Sequence, residues 1–461
     1  MQERDLRKET RATKRVTCRA MALAGLMLCA GAKAQMSLST AVDLALHNDA
    51  KVRMAQADLD RAKAAQAQTK DAYIPSVGIN GGTGDSTGVP LSIPVVFQMN
   101  SQSLLFNFSQ RDNLRSAAAG VKAAELGLAE ARDKLAEDVV ITYINLDSAE
   151  QRQGAMEEEY GYATRLVAIV QDRVQAGEDT RLQADQADIT ADQIQVNALN
   201  LREEIETLND HLTRLIGLPG SQLHTVASSI PDLPAPGTFV DTGRVSFGVR
   251  SAFANAKSKQ EAAFGEARYL YRPQLSFGAN YSRISTAHTN YPLYYPGFQG
   301  ENGLSDNALS VGISIQIPLF DRAHVDHAKV SAAEAVHARY EAEDARNTYL
   351  EGRFKLVHST DVLVARCKLA EAQQLYAKDE LDATLAQLTA NNAATGGPQL
   401  TPKDEQNARI QVSARTIEYL NDKLQLSQTE VNLLRQTGQL DDWLKLAIAA
   451  PGSAATQVTK P

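Results

Sequence analysis

Cysteine is nearly absent. The chain has three in 461 residues, and Cys18 and Cys29 both fall in an N-terminal stretch with the character of a removable leader. Cys367 then stands alone, which excludes an internal disulfide even in a compartment that permits one. Aromatic residues make up 6% and tryptophan occurs once. With Ala, Gln, Asp and Glu abundant, that scarcity argues for long helices over compact cores. No segment reaches 18 consecutive apolar residues, so no transmembrane helix is available. A basic excess is also missing, the formal net charge being −8.

The first 34 residues carry eight Lys or Arg and three acidic residues. They continue into the apolar stretch Ala20 to Ala30 and then Ala32-Lys33-Ala34 before Gln35. This order reads as a secretory signal with an A-x-A cleavage site, its apolar part too short to span a bilayer. A lipoprotein reading centred on Cys29 is the weaker one, because Leu28 stands where a small residue is normally found. Without residues 1–34 the balance moves from −8 to −13. An acidic mature chain argues against nucleic acid or anionic lipid as the main partner.

What is present is organised around residues 309–394. Leu309, Val311, Ile313, Ile315 and Ile317 alternate with Ser310, Gly312, Ser314 and Gln316, the two-residue period of a sheet with one apolar face. After Pro318 and Leu319-Phe320, Asp321 is positioned to cap a helix. No proline follows until Pro398, and Gly352 is the one glycine before residue 396. A helix over that run would be about 110 Å long. A strand of this kind feeding such a helix suggests one membrane part and one long aqueous part.

The same order occurs earlier. The spacing predicts a helix from Thr40-Ala-Val-Asp43 to Tyr73, a pair of strands around Val77-Ile79 and Leu104-Phe106-Phe108, and a proline-free helix from Ser109 to Ala176. Leu114, Ala117, Val121, Ala124, Leu128, Ala131 and Leu135 form a heptad seam in which alternating alanines allow close helix approach. Gly177 breaks the run, and a second helix is predicted from Thr180 to Ile216. The proline-bearing stretch 221–243 reads as a linker. A helix from Arg244 to Tyr269 then leads to Pro273-Gln-Leu275-Ser-Phe277, which parallels Pro75-Ser-Val77-Gly-Ile79, and Leu319-Phe320 answers Leu105-Phe106. Two copies of one helix, hairpin, helix, helix unit fit these spacings. The expected division is a signal at 1–34, a first repeat at 35–220, the linker, a second repeat at 244–445 and a disordered tail at 446–461.

Four strands cannot close a transmembrane barrel alone. If they enter a membrane the chain must oligomerise, two copies giving eight strands and three giving twelve. A soluble periplasmic coiled-coil structural protein with a small β cap is the alternative. Tyr291, Tyr294, Tyr295 and Phe298 suit a membrane interface, where amphipathic rings favour the headgroup level.

Several motifs carry a family resemblance. Leu38, Ala41, Ala45, Leu46 and Asn48 early in the mature chain, Pro before each hairpin and Leu-Phe before each long helix resemble the TolC-type outer-membrane efflux proteins. So does Arg173 with Gly177, Leu182, Ala184 and Ala187 at the first helix turn. The resemblance covers roughly residues 36–445. It implies a mainly helical fold with a small β part, a homotrimer with a β-barrel in the outer membrane and a periplasmic coiled-coil tunnel. It also implies a periplasmic adaptor protein and an inner-membrane pump as partners, and neither enzyme activity nor a cofactor. The cargo could be small molecules, a secreted protein or a heavy metal. The second helix turn departs from the pattern, since in the stretch from Leu388 to Gly396-Gly397-Pro398 the arginine is missing and the turn is longer.

Asp172, Glu178 and Asp179 at the first turn, with Asp404 and Glu405 after the second, are the candidates for a gate. In a symmetric assembly each would form a ring, and carboxylate rings at a constriction favour cations. Arg173, Gly177, Leu182 and Ala184 are the candidates for an adaptor-contacting tip. The competing reading makes the carboxylates solvated helix-end charges. His324 and His327 have a spacing that can bind a metal, but without a third ligand nearby they read as surface residues, and Glu157-Glu158-Glu159 reads as a solvated face.

Overall fold

The computed structural model describes residues 34–82, 95–234, 245–284, 307–391 and 400–449. The signal with Cys29, the tyrosine-rich stretch 291–298, the turn at Gly396 and the tail beyond residue 449 lie outside the described residues. The fold is mainly helical with a small β part. In chain order it runs β1 (Ala34–Met36), α1 (Leu38–Asn48), α2 (Ala50–Asp71), β2 (Ser76–Gly81), β3 (Val95–Phe106), α3 (Phe108–Gln175), α4 (Arg181–Leu215) and β4 (Leu223–Thr225). A 3-10 turn at Ala227–Ser229 follows. Then come α5 (Phe247–Ala267), β5 (Gln274–Ile284), β6 (Asn307–Gln316), α6 (Arg322–Asn391), α7 (Pro402–Thr437) and α8 (Leu440–Ala449). The chain divides into two compact units, and the division falls within α3 and α6.

The first unit holds residues 1–49, 133–242 and 355–461. Its α1 starts at Ser37, whose hydroxyl accepts from the Thr40 N–H, three positions before the expected capping box. Asp49, with extended backbone, ends α1, so the helix expected as far as Tyr73 is interrupted there. Leu38, Ala41 and Ala45 are fully buried on one face. Asn48 donates from its amide to the Ile216 carbonyl, closing the C-terminal end of α4. Gly217 beyond it has φ +79, and a Cβ there would meet Asn48 at 2.9 Å. Position 217 therefore requires glycine on two counts.

Farther along, Ala149, Met156, Ala163 and Val170 of α3 pack with Ala187, Ile194 and Leu201 of α4 and with Ile410 of α7. Both series step by seven residues, the heptad pattern continued beyond the seam read from sequence. Arg152, 9% exposed, donates to Glu204 and Asn421 inside this packing.

The expected linker is more structured than its prolines imply. β4 pairs in parallel with β1, Ala34 opposite Leu223. Tyr143 is 1% exposed and its hydroxyl donates to the Met36 carbonyl at 2.7 Å, while the Val226 N–H donates to that hydroxyl. Ser229 ties the same point: its hydroxyl accepts from the Leu38 N–H and donates to the Val226 carbonyl. Trp443 of α8, 3% exposed, donates from its indole N–H to the Asp232 carbonyl. The tail expected to start at residue 446 thus starts as helix, because α8 is held by its buried tryptophan. Replacing Ser229 by Ala strands a buried N–H, so a loss of about 1–3 kcal/mol is expected, read as a lowered thermal midpoint.

The second unit holds residues 50–132 and 243–354. In it the first half of α3 lies close against α5: the Ser116 hydroxyl donates to the Ser258 carbonyl, and the Ser251 hydroxyl to the Ala123 carbonyl. Ala256 of α5 is buried with Ala338 and Ala342 of α6. Small side chains permit this approach. Asp112 is 1% exposed, and its carboxylate accepts from Arg268 at 2.8 Å and from Arg115 at 3.3 Å. The unit also contains an antiparallel sheet of strand order β2-β3-β5-β6.

Candidate functional site

Directly opposed residues of an antiparallel sheet share a face, so the register sorts the side chains. Leu309 is opposite Tyr281, Val311 opposite Ala279, Ile313 opposite Phe277 and Ile315 opposite Leu275. The row continues through Met99 to Ile79 and through Ser101 to Val77. That face is apolar and open, with Leu309, Val311, Ile313 and Ile315 each 63–71% exposed. The other face carries Gln98, Asn100, Gln102, Ser276, Asn280, Ser310 and Ser314. There the Gln98 amide donates to Asn280, and the Ser276 and Ser314 hydroxyls lie 2.8 Å apart.

β3, β5 and β6 have 12, 11 and 10 residues, the length that crosses a bilayer as a tilted strand. The outer strands β2 and β6 each have a neighbour on one side only among the described residues. The sheet thus has one apolar face, one polar face and an open edge on each side among the described residues.

The tip candidates lie in the first unit. Gly177 takes φ +78, which lets the Glu178 N–H return to the Arg173 carbonyl at 2.9 Å. The Arg173 guanidinium contacts Glu178 at 3.0 Å and Asp179 at 3.0 Å. Lys403, at the start of α7, lies 3.6 Å from the same Asp179 carboxylate. The hydrogen bond from Arg173, assisted by Lys403, holds the Asp179 carboxyl below its ordinary pKa. Asp404 accepts from the Thr401 N–H and hydroxyl at 2.7 and 2.8 Å, and Glu405 accepts from Arg409 at 2.9 Å. Asp172 is exposed. Glu178, Asp179, Asp404 and Glu405 are thus engaged with neighbours, and Asp179 ties the first turn to the start of α7. Leu182 is 77% exposed, Ala184 packs on the core beside it and the Thr180 hydroxyl caps α4.

Two features escaped the sequence reading. Glu157 and Glu158 are exposed, but Glu159 is only 8% exposed, and burial pushes its carboxyl up to about 7. The signal was a seven-residue step: Arg152, Glu159 and Leu166 occupy one buried line of α3. His324 and His327 also have a neighbour. Glu266 of α5 places one carboxylate oxygen 3.2 Å from His324 and 3.3 Å from His327, although it lies 58 positions from His324. Among the described residues no group of three His, Cys, Asp or Glu could hold a metal ion.

Comparison with known families gives a match over residues 41–218 to the outer membrane efflux protein family. Its members are channel proteins rather than enzymes. No curated protein sequence matches the chain. Among solved structures, the outer membrane protein VceC from Vibrio cholerae is similar at 18% identity and TM-score 0.68, over 87% of this chain and 96% of that one. The CmeC outer membrane channel of Campylobacter jejuni gives 16% and 0.69, over 90% and 89%. The MtrE outer membrane channel of Neisseria gonorrhoeae, solved in its open state, gives 17% and 0.65, over 88% and 89%. The outer-membrane channel fold therefore extends over the second half of the chain, beyond the family match.

Proposed function

We propose that this protein is the outer-membrane exit duct of a tripartite efflux or type I secretion system, carrying small molecules or proteins from the periplasm to the exterior. The observation that carries the reading is the four-stranded sheet, apolar on one face and polar on the other, with an open strand at each edge. Open edges are not tolerated in lipid, so copies must join β6 of one to β2 of the next. Three copies would give a twelve-stranded barrel, and the helical units of the three would form the periplasmic tunnel. The order helix, hairpin, long helix, helix, met twice along the chain, supports two repeats at 35–220 and 244–445 separated by a linker.

At the periplasmic end the reading makes Arg173, Gly177, Leu182 and Ala184 the surface for an adaptor, which in turn engages an inner-membrane pump. The carboxylates Asp172, Glu178, Asp179, Asp404 and Glu405 form the gate, with the tie from Arg173 and Lys403 to Asp179 holding the tip shut. Asp404→Ala with Glu405→Ala removes the carboxylate that closes on Thr401 and the partner of Arg409. In planar bilayers that double variant is expected to raise single-channel conductance or weaken block by divalent cations. Unchanged traces would remove these residues from the gate.

Cargo is assigned by deletion. Sensitivity to detergents and dyes marks drug efflux, loss of one secreted protein marks secretion, and copper sensitivity marks heavy-metal export.

A further inference from the structure

The first unit contains a cavity of about 390 Å³ that the channel reading does not use. Its wall comes from α3, from the segment after the 3-10 turn and from α7. Ile144, Ile230, Leu233 and Leu424 give it an apolar part, and polar atoms make up nearly half of its wall. Against this lining stand Asp147, Asp232, Glu430 and a single cation, Lys423. Asp147 is satisfied by the Thr225 hydroxyl and the Gln151 amide.

Glu430 differs. It is 5% exposed, contributes to the cavity wall, and has no hydrogen-bond or ion-pair partner among the described residues. A buried carboxylate without a partner is costly. Glutamine or leucine would fill the same position on α7 at lower cost. Burial alone pushes the Glu430 carboxyl up to about 7, so near neutral pH it exchanges between acid and carboxylate, and a cation beside it would favour the carboxylate.

We propose that this cavity binds an amphiphilic organic amine, its ammonium on Glu430 and its apolar body against Ile144, Ile230, Leu233 and Leu424. The size suits this ligand, since small-molecule sites of roughly 300–1,000 Å³ combine apolar walls with a few placed polar groups. Charge selects its sign, because the ionised wall carries three carboxylates to one ammonium. A bare metal ion fits poorly, as the described residues contain no metal-holding cluster. The site would act on whichever amine-bearing molecules reach the periplasm.

The test uses purified full-length protein in mild detergent at pH 8, titrated with dansylcadaverine, a primary amine on an apolar fluorophore. Dansyl butylamide serves as the uncharged control. Saturable fluorescence enhancement by the amine is expected for the wild type. Glu430→Gln should weaken it by about tenfold or more, the worth of one buried charge-assisted hydrogen bond, without changing binding of the control. Leu233→Trp, which fills the cavity, should weaken both probes. Equal amine affinity in wild type and Glu430→Gln, or no saturable binding to the wild type because a second copy covers the cavity, would overturn the proposal. Binding is measured here rather than conduction, so failure leaves the exit-duct reading standing.

Discussion

Ile313→Arg is expected to remove the protein from the outer membrane as an assembled species. Ile313 sits mid-strand in β6, 64% exposed and opposite Phe277 on the apolar face. An arginine facing lipid near the bilayer midplane costs about 2–4 kcal/mol. In a closed assembly every copy carries the substitution, so the penalty repeats. Three such copies sum to about 6–12 kcal/mol, comparable to the whole margin of about 5–15 kcal/mol that holds an ordinary fold. Ser310→Lys, three positions away on the polar face, is the matched control and should assemble, because that face would line the aqueous lumen. Western blotting of outer-membrane fractions reads both. Normal assembly of Ile313→Arg would mean that the apolar row does not face lipid.

Stability should fall as pH rises from about 5 to 8, through Glu159 and Glu430. Burial raises both carboxyls from 4.5 to about 7. Between these values the folded state keeps protons that the unfolded state releases, so unfolding is favoured as pH increases. The loss is complete above the folded value and absent below the unfolded one. At about 1.4 kcal/mol per unit, each group can account for up to about 3 kcal/mol. Glu159→Gln with Glu430→Gln should therefore melt well above the wild type at pH 8 and close to it at pH 5, flattening the curve of midpoint against pH. Parallel curves for the two proteins would show that neither buried carboxyl titrates in this range.

The parts legible in the sequence are those governed by period. Strict alternation from Leu309 to Ile317 marked β6, and the proline-free runs marked α3 and α6, which end within a few residues of their expected limits. The buried faces of Leu38, Ala41 and Ala45 give the early motif a physical reason. Illegible parts depend on partners distant in the chain. β1 and β4 are three residues each, too short to show alternation, and they exist because Tyr143 and Ser229 tie them together. The end of α1 at Asp49 left no proline or glycine to betray it. At the tip, Asp179 and Lys403 could be listed as charges, but only folding brings them within 3.6 Å. Glu430 carries no mark of its burial in the sequence, although Leu433 and Leu434, three and four residues on, share its buried face.

The central claim is that several copies of this chain close one barrel in the outer membrane. Its most direct measurement is membrane fractionation of the expressed protein, with cross-linking and gel migration before and after heating. A trimer in the outer-membrane fraction that resists unheated detergent and collapses to monomer on heating is expected. A soluble monomer or dimer in the periplasm would contradict it, because the apolar row from Leu309 to Ile315 would then have no lipid to face.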